Sequence, residues 1–236
     1  MVSVALLRRR WAISLLALAL LLGWDALGLD LPLARWFGSP QGFAWRGQPA
    51  LVLLLHELPR WLSGVLLLGL LAAALRPWGG WRAWTPGERW QLVLSVASAM
   101  ALVTLFKRLS YTSCPWDLAE FGGVAAYVSH WQWGLRDGGA GHCFPAGHAV
   151  TAFAYLAGWQ VLRRKLPAGQ AMHWLVAILL AGLVLGLSQQ LRGAHYMSHT
   201  LWSAWICWTW GLGIESLRVA GVARRSARLQ VRLNKV

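Results

Sequence analysis

An all-α, polytopic membrane protein with six transmembrane helices is the architecture this chain predicts, and three observations carry the prediction. Of its 236 residues 57% are apolar and 13% charged, against about 25% charged in an ordinary soluble domain. The apolar residues fall into six runs of roughly the 20 residues that a helix needs to cross a hydrocarbon core about 30 Å thick. The basic residues, 22 against 8 acidic, sort by loop, as Lys and Arg do when they mark the cytoplasmic side. A net charge of +14 would suggest a nucleic-acid partner in a soluble chain; in this one it reads as topology, and no nucleic-acid partner is expected.

The first run, Trp11 to Leu29, follows Arg8, Arg9 and Arg10. It is long enough to span and has no A-x-A cleavage site, so it reads as a helix rather than a signal peptide. The second, from about Leu51 to Leu75, is the weakest, because His56, Glu57, Pro59 and Arg60 interrupt its start; His56, Glu57 and Arg60 are expected to cap the outer end of the span, with lining of the site entrance as the alternative. The third runs from Trp90 to Phe106, the fourth from His148 to Leu162, the fifth from His173 to Leu191 and the sixth from His199 to Leu217. With alternate loops assigned to alternate sides, 15 of the 22 basic residues fall on the side of both termini. Both termini are therefore expected in the cytoplasm, with residues 217–236 as a basic tail attracted to anionic lipid. The 18 tryptophans fit the same picture, Trp78, Trp81, Trp84 and Trp90 clustering where a loop meets a bilayer surface. The whole chain, 1–236, reads as one integral membrane domain.

Two polar islands on the outer side do not fit simple spanning. The loop from Lys107 to Gly147 contains KRLSYTSCPWDLAEFGG and GHCFPAGHA, too long and too aromatic for a plain connector. PAGH places Gly147 and His148 at a helix start, where free N–H groups and the helix dipole favour an anion, although a helix start facing water reads the same way. The second island is SQQLRGAHYMSH. Arg192, His195 and His199, spaced by three and four, share one face if the segment is helical, and ionisable residues at such a depth usually line a cavity or substrate path. Lys107, Arg108 and Arg192 supply cations that bind phosphate, and His148, His195 and His199 supply groups that attack or donate protons near neutral pH. This set suits phosphoryl transfer with no cofactor and no obligatory metal. The i, i+4 pair His195 and His199 also has the spacing of two zinc ligands, but it lacks the Glu of the metalloprotease motif and has Arg192 beside it.

These residues resemble the type-2 phosphatidic acid phosphatase and vanadium haloperoxidase superfamily, specifically its bacterial six-span lipid phosphatases. The three blocks of that family read K-x6-R-P, P-S-G-H and S-R-x5-H-x3-D. Here they correspond to KRLSYTSCP from Lys107, PAGH from Pro145 and SQQLRGAHYMSH from Ser188, and the resemblance covers residues 90–216. It implies that His195 attacks phosphorus to form a phosphohistidine, that His148 protonates the leaving group, and that Lys107 and the N–H groups around Gly147 hold the phosphate oxygens. No divalent metal is implied.

Four positions depart from the blocks: Cys114 stands for the Arg of the first, Ala146 for the Ser of the second, Gln189 for the Arg of the third, and His199 for the Asp that orients the nucleophile. Arg192, one helical turn before His195, is expected to replace the cation missing at Gln189. The changes resemble a proteobacterial branch that shares CPWDL, CFPAGHA and RGAH-x-x-SH, in which an Asp often follows the last histidine; that position here is Thr200. His199 is expected to orient His195 by a hydrogen bond, with Asp117 or Glu120 as substitutes for the missing carboxylate. Cys114 and Cys143, both on the outer side, are expected to pair in an oxidising periplasm and tie the phosphate-binding loop to the helix of His148.

The resulting expectation is a lipid phosphatase of the bacterial inner membrane, with its site at the periplasmic face and a lipid phosphate or diphosphate of the outer leaflet as substrate. A lipid phosphotransferase is a close variant, since a phosphohistidine can be resolved by an acceptor other than water. A catalytically silent lipid-phosphate binder or transporter is the alternative from another class, motivated by the four departures.

Overall fold

In the computed structural model, which describes residues 4–233, helices dominate and the only sheet among the described residues is a two-stranded hairpin. The elements are α1 (Val4–Ala26), α2 (Asp30–Arg35), β1 (Gly38–Ser39), β2 (Gly42–Phe43), α3 (Pro49–Val52), a π-helical turn (Leu53–Glu57), α4 (Leu58–Leu75), α5 (Pro86–Leu109), α6 (Val150–Lys165), α7 (Ala168–Leu191) and α8 (Met197–Leu233). Each of the six apolar runs overlaps one long helix. Three helical segments, Pro49–Leu75, Pro86–Leu109 and Ala168–Leu191, are long and apolar enough to cross a membrane. Their outer faces are apolar, with Leu62, Val65, Leu68, Leu94, Leu180 and Val184 all exposed; a surface of that kind is solvated by lipid rather than water.

Local chemistry explains the boundaries. Thr85 caps α5: its hydroxyl accepts from Glu88 N (3.3 Å), Glu88 Oε2 accepts from Thr85 N (2.9 Å), and Pro86 fills the first turn, a reciprocal capping box. The interruption expected at the start of the second run is absent, because the helix passes through it. Pro59 has no N–H to give the preceding turn, and the π-helical turn ahead of it accommodates the irregularity without ending the helix. The basic C-terminal segment likewise continues α8 to Leu233, as its Arg, Leu and Ala content favours; residues 234–236, the end of the expected tail, lie outside the described residues.

Helix α6 is the axis of the bundle, packing against α5, α7, α8 and α4. Its Phe153, Ala154, Leu156, Ala157 and Val161 are buried with Leu92, Val96, Ala99 and Val103 of α5 and Cys207 of α8. Small residues set the spacing: a Cβ on Gly211 of α8 would stand 2.4 Å from both Cα and O of Ala157, so the two backbones touch where only glycine fits. At one end of the bundle the fully buried Glu215 accepts from Gln91 (3.0 Å) and pairs with Arg164 and with Arg218 (2.9 Å), while Arg10 donates to Gln160. Ionic and polar bonds thus join α1, α5, α6 and α8 there. The opposite end carries a second, smaller core of Ala34, Phe43, Leu118, Phe121, Ala125 and Tyr196, which packs the α2 and hairpin segment onto the long loop before α6.

Because the α6–α8 backbone contact cannot open without pulling the central helix out of place, Gly211→Val should destabilise the protein by about 1–3 kcal/mol through overpacking. Thermal unfolding in detergent measures this, and an unchanged midpoint would show that the crossing is looser than drawn.

Candidate active site

The helix ends opposite the Glu215 cluster gather the polar residues of both islands. Cys114 and Cys143 are joined by a disulfide, S–S 2.09 Å, which fastens the end of α5 and its following loop to the turn before α6. His142 N donates to Ser110 O and Cys143 N to Thr112 O, both at 2.9 Å, so the two strands of the loop run side by side up to the disulfide. Asp137 completes the loop's interior, accepting from Ser113 N (2.6 Å), Ser113 Oγ (2.7 Å) and Gly139 N (3.0 Å).

His195 lies in the turn between α7 and α8 and is 6% exposed. It hydrogen-bonds the backbone of Cys143, and its Nδ1 is 3.4 Å from Cys143 Sγ. Burial first, then the positive charge of Lys107 and the neighbouring His148, holds its pKa well below the ordinary value of about 6.5. The ring is therefore neutral at pH 7 and carries a lone pair, the state a nucleophile needs. The ammonium of Lys107, in the last turn of α5, has no hydrogen-bond or ion-pair partner among the described residues, and the side chain lies along Gly147: a Cβ there would stand 3.1 Å from Lys107 Cδ. Glycine at 147 thus leaves the space that the lysine fills.

His148 sits in the turn ahead of α6. Its Nε2 is 2.8 Å from His56 O, and its ring stacks on that of His56 with centroids 3.9 Å apart and planes 4° from parallel. Burial, then His56 and Arg192, push its pKa down to about 4. Arg192 donates through Nη1 to Gln189 Oε1 (3.0 Å) and through Nε to Arg46 O (3.1 Å). Gln189, at the position of a lost arginine, thus holds the guanidinium supplied three residues later.

The structure brings Lys107, Gly147, His148, Arg192, His195 and His199 to one end of the bundle. Arg108 stays apart, exposed at the end of α5 with no hydrogen bond or ion pair. Three orienting expectations are corrected. His199 does not bond His195: its Nδ1 is 2.9 Å from Cys143 O, and the two ring centroids are 6.1 Å apart. Asp117 is committed to capping its own turn through Cys114 N (3.3 Å), and Glu120 pairs with Arg35 at 2.5 Å on the surface. Neither carboxylate is bonded to His195. Two contributors were missed from sequence. His56 was expected to cap a span or line the entrance, not to support His148, yet it packs on that ring, while Glu57 bonds its Nδ1 (2.9 Å) and pairs with Arg60 (3.1 Å). Arg46 supplies the carbonyl under Arg192 and lies over the Trp116 ring at 4.7 Å. The LHELPRW segment held a signal for the first; nothing marked the second.

Buried imidazoles beside a lysine and an arginine, at the end of an apolar helical bundle, are groups suited to binding an anion and exchanging protons with it. The family model of the PAP2 superfamily matches residues 88–220, more than half of the chain, and the chain belongs to that superfamily. The match begins before Lys107 and ends past His199, so it takes in all three blocks. Membership brings phosphatase-type activity on phosphate esters. No curated protein and no solved structure matches the chain.

The depressed pKa of His195 has a thermodynamic consequence. Between its folded value and about 6.5 the unfolded chain binds more protons than the folded one, so this contribution to stability is full above about pH 6.5 and is lost as pH falls. Thermal midpoints in detergent should decrease from pH 7.5 to 5, and His195→Gln should flatten that slope. A slope identical in the variant would remove His195 as its source.

Proposed function

We propose that the protein is a hydrolase of lipid phosphates or diphosphates in the bacterial inner membrane, spanning it six times with both termini in the cytoplasm and the site at the periplasmic face. The observation that carries this reading is the convergence of a neutral, buried His195 with Lys107, Arg192 and His148 at one end of an apolar bundle. A lone-pair nucleophile, two cations and a second imidazole are what in-line phosphoryl transfer requires of a protein. In the first step a nitrogen of His195 bonds to phosphorus as the P–O ester bond breaks, and His148 passes a proton to the departing oxygen. A bound phosphate dianion favours the protonated form of His148 and so opposes the depression that burial imposes. Water, giving its proton to the now neutral His148, then cleaves the N–P bond, releasing phosphate and restoring both histidines. Lys107 and Arg192 offset the charge on the phosphoryl oxygens throughout, and no metal takes part.

The lipid assignment is supported by the apolar groove between α5 and α8, lined by Leu102, Phe106, Trp205, Ile206 and Trp210. It reaches Phe106, the residue before Lys107. Periplasmic exposure is supported by the Cys114–Cys143 disulfide, which belongs to an oxidising compartment. One observation favours a silent lipid-phosphate binder: His195 is held by Cys143 rather than by a carboxylate, so less charge is available to stabilise its imidazolium form.

Phosphate release from a panel of lipid phosphates, with brief EDTA treatment, decides between them. The hydrolase reading expects release that survives EDTA, is inhibited by vanadate, and falls at least 1,000-fold in His195→Ala, the order of loss seen when a covalent nucleophile is removed. Tight binding of a lipid phosphate without turnover would establish the silent binder, and transfer to a second lipid would establish a phosphotransferase. His56→Ala, which removes the stacked support of His148, should lower kcat with little change in KM; an unchanged kcat would return His56 to a capping role.

A further inference from the structure

Beside the phosphate site lies a second cluster that phosphoryl transfer does not use. Asp25 closes α1, Asp30 opens α2, His130 comes from the long loop and His199 from the first turn of α8. One ligand atom each of Asp30, His130 and His199 lies within 4.8 Å of the others. All are buried: Asp30 is 6% and His199 1% exposed, and the side chains of His130 and Asp25 are 6% and 4% exposed.

The buried polar atoms of this cluster are not all paired. Asp30 accepts from Ser198 N (2.9 Å), Trp24 Nε1 (2.9 Å) and Ser198 Oγ, and Asp25 accepts from Trp202 Nε1 (2.8 Å) and Trp131 Nε1 (3.1 Å). Every one of these donors is neutral, and neither carboxylate pairs with a lysine or arginine. The N-terminus of α8 offsets Asp30 only in part. His130 is the one titratable partner, with Nε2 3.3 Å from Asp25 Oδ2, yet that nitrogen and Asp25 Oδ1 have no hydrogen-bond partner. A divalent ion bound here would offset the carboxylates and take up lone pairs that have no partner. His199 is already arranged as a ligand, since donation from Nδ1 to the Cys143 carbonyl leaves Nε2 with its lone pair, the arrangement that backbone carbonyls impose on metal-bound imidazoles.

We propose that Asp30, His130 and His199 bind a divalent first-row transition ion of the zinc class, with Asp25 supporting His130. Two imidazoles and one carboxylate are a donor set that such ions prefer over calcium or magnesium. The ion pins the corner between α1 and α2, the loop around His130 and the start of α8 to one point, and so fixes the Cys143 carbonyl on which both His199 and His195 lean. It touches no phosphate, and no step of hydrolysis runs through it. It is separate from the His195–His199 pair, because His195 is not in the donor set. The other candidate trio, Cys114, Cys143 and His195, is closed by the disulfide.

The test uses the full-length chain, purified in detergent through a tag other than polyhistidine. Elemental analysis should find about one zinc or similar ion per chain, and after stripping with dipicolinate, added Co(II) should give d–d absorption bands. His130→Gln and Asp30→Asn should lose both the metal and the bands, whereas His195→Ala should keep them while losing phosphate release. The wild-type protein decides the matter even if those variants fail to fold: metal far below stoichiometric together with no cobalt band overturns the site. Retention of metal by folded His130→Gln and Asp30→Asn overturns it as well. Neither result depends on the phosphatase assay, so loss of one reading leaves the other standing.

Discussion

The carbonyl of Cys143 accepts from His199 Nδ1 at 2.9 Å, and His195 hydrogen-bonds the backbone of the same residue. Most of the site's order depends on where that one peptide group points. Its position is set from three directions: the disulfide to Cys114, the bond from Cys143 N to Thr112 O, and the bond from Ala146 N to His199 O (3.1 Å). The first two tie it to the end of α5 and the third to α8. A backbone dipole held this way can orient an imidazole without adding a charge to a buried site, whereas a carboxylate beside His195 would be one more ion to desolvate. The replacement of an orienting Asp by His199 is therefore a change of architecture, in which a carbonyl takes over the orienting bond and the histidine braces the carbonyl.

The cations follow the same economy. Lys107 reaches its place along a channel that exists because residue 147 has no Cβ, and Arg192 is held by one side-chain oxygen and one backbone oxygen rather than by an acid. Neither cation is neutralised by a carboxylate, so both keep their charge available to an anion. Of the eight acidic residues, Glu57 reaches the site only through His56, and the others are placed elsewhere: Glu120 on the surface with Arg35, Glu88 with Lys165, Asp117 and Asp137 in loop turns, Glu215 at the far end, and Asp25 and Asp30 beside His199. The two cations of the site thus stay unneutralised at the end of a low-dielectric body, where their field acts over a longer range than in water.

Much of this was legible in the chain. Apolar runs of spanning length overlap the six long helices, because a helix that faces lipid or a packed core has little freedom in composition. Lys107, His148, Arg192, His195 and His199 stood out because ionisable groups beside apolar runs need a reason to be there. The roles of the supporting residues were less legible. Asp117 and Glu120 looked equivalent to any other loop acids, and only their local partners, Cys114 N and Arg35, remove them from the site. His56 sat in a segment that a capping function explained well enough, and Pro59 made the helix look broken where a π-helical turn carries it through.

By itself the sequence determined the helical class, the apolar runs, the two polar islands and the types of side chain that meet at the site, since periodicity and composition record burial residue by residue. The tertiary structure alone decided what those side chains bond to. His148 meets His56 across 92 positions, Arg192 meets Arg46 across 146 and Ser198 meets Asp30 across 168. Such pairings leave no local trace, because neither partner's own neighbours encode them; they arise only when the helices close around α6 and bring their ends to one plane.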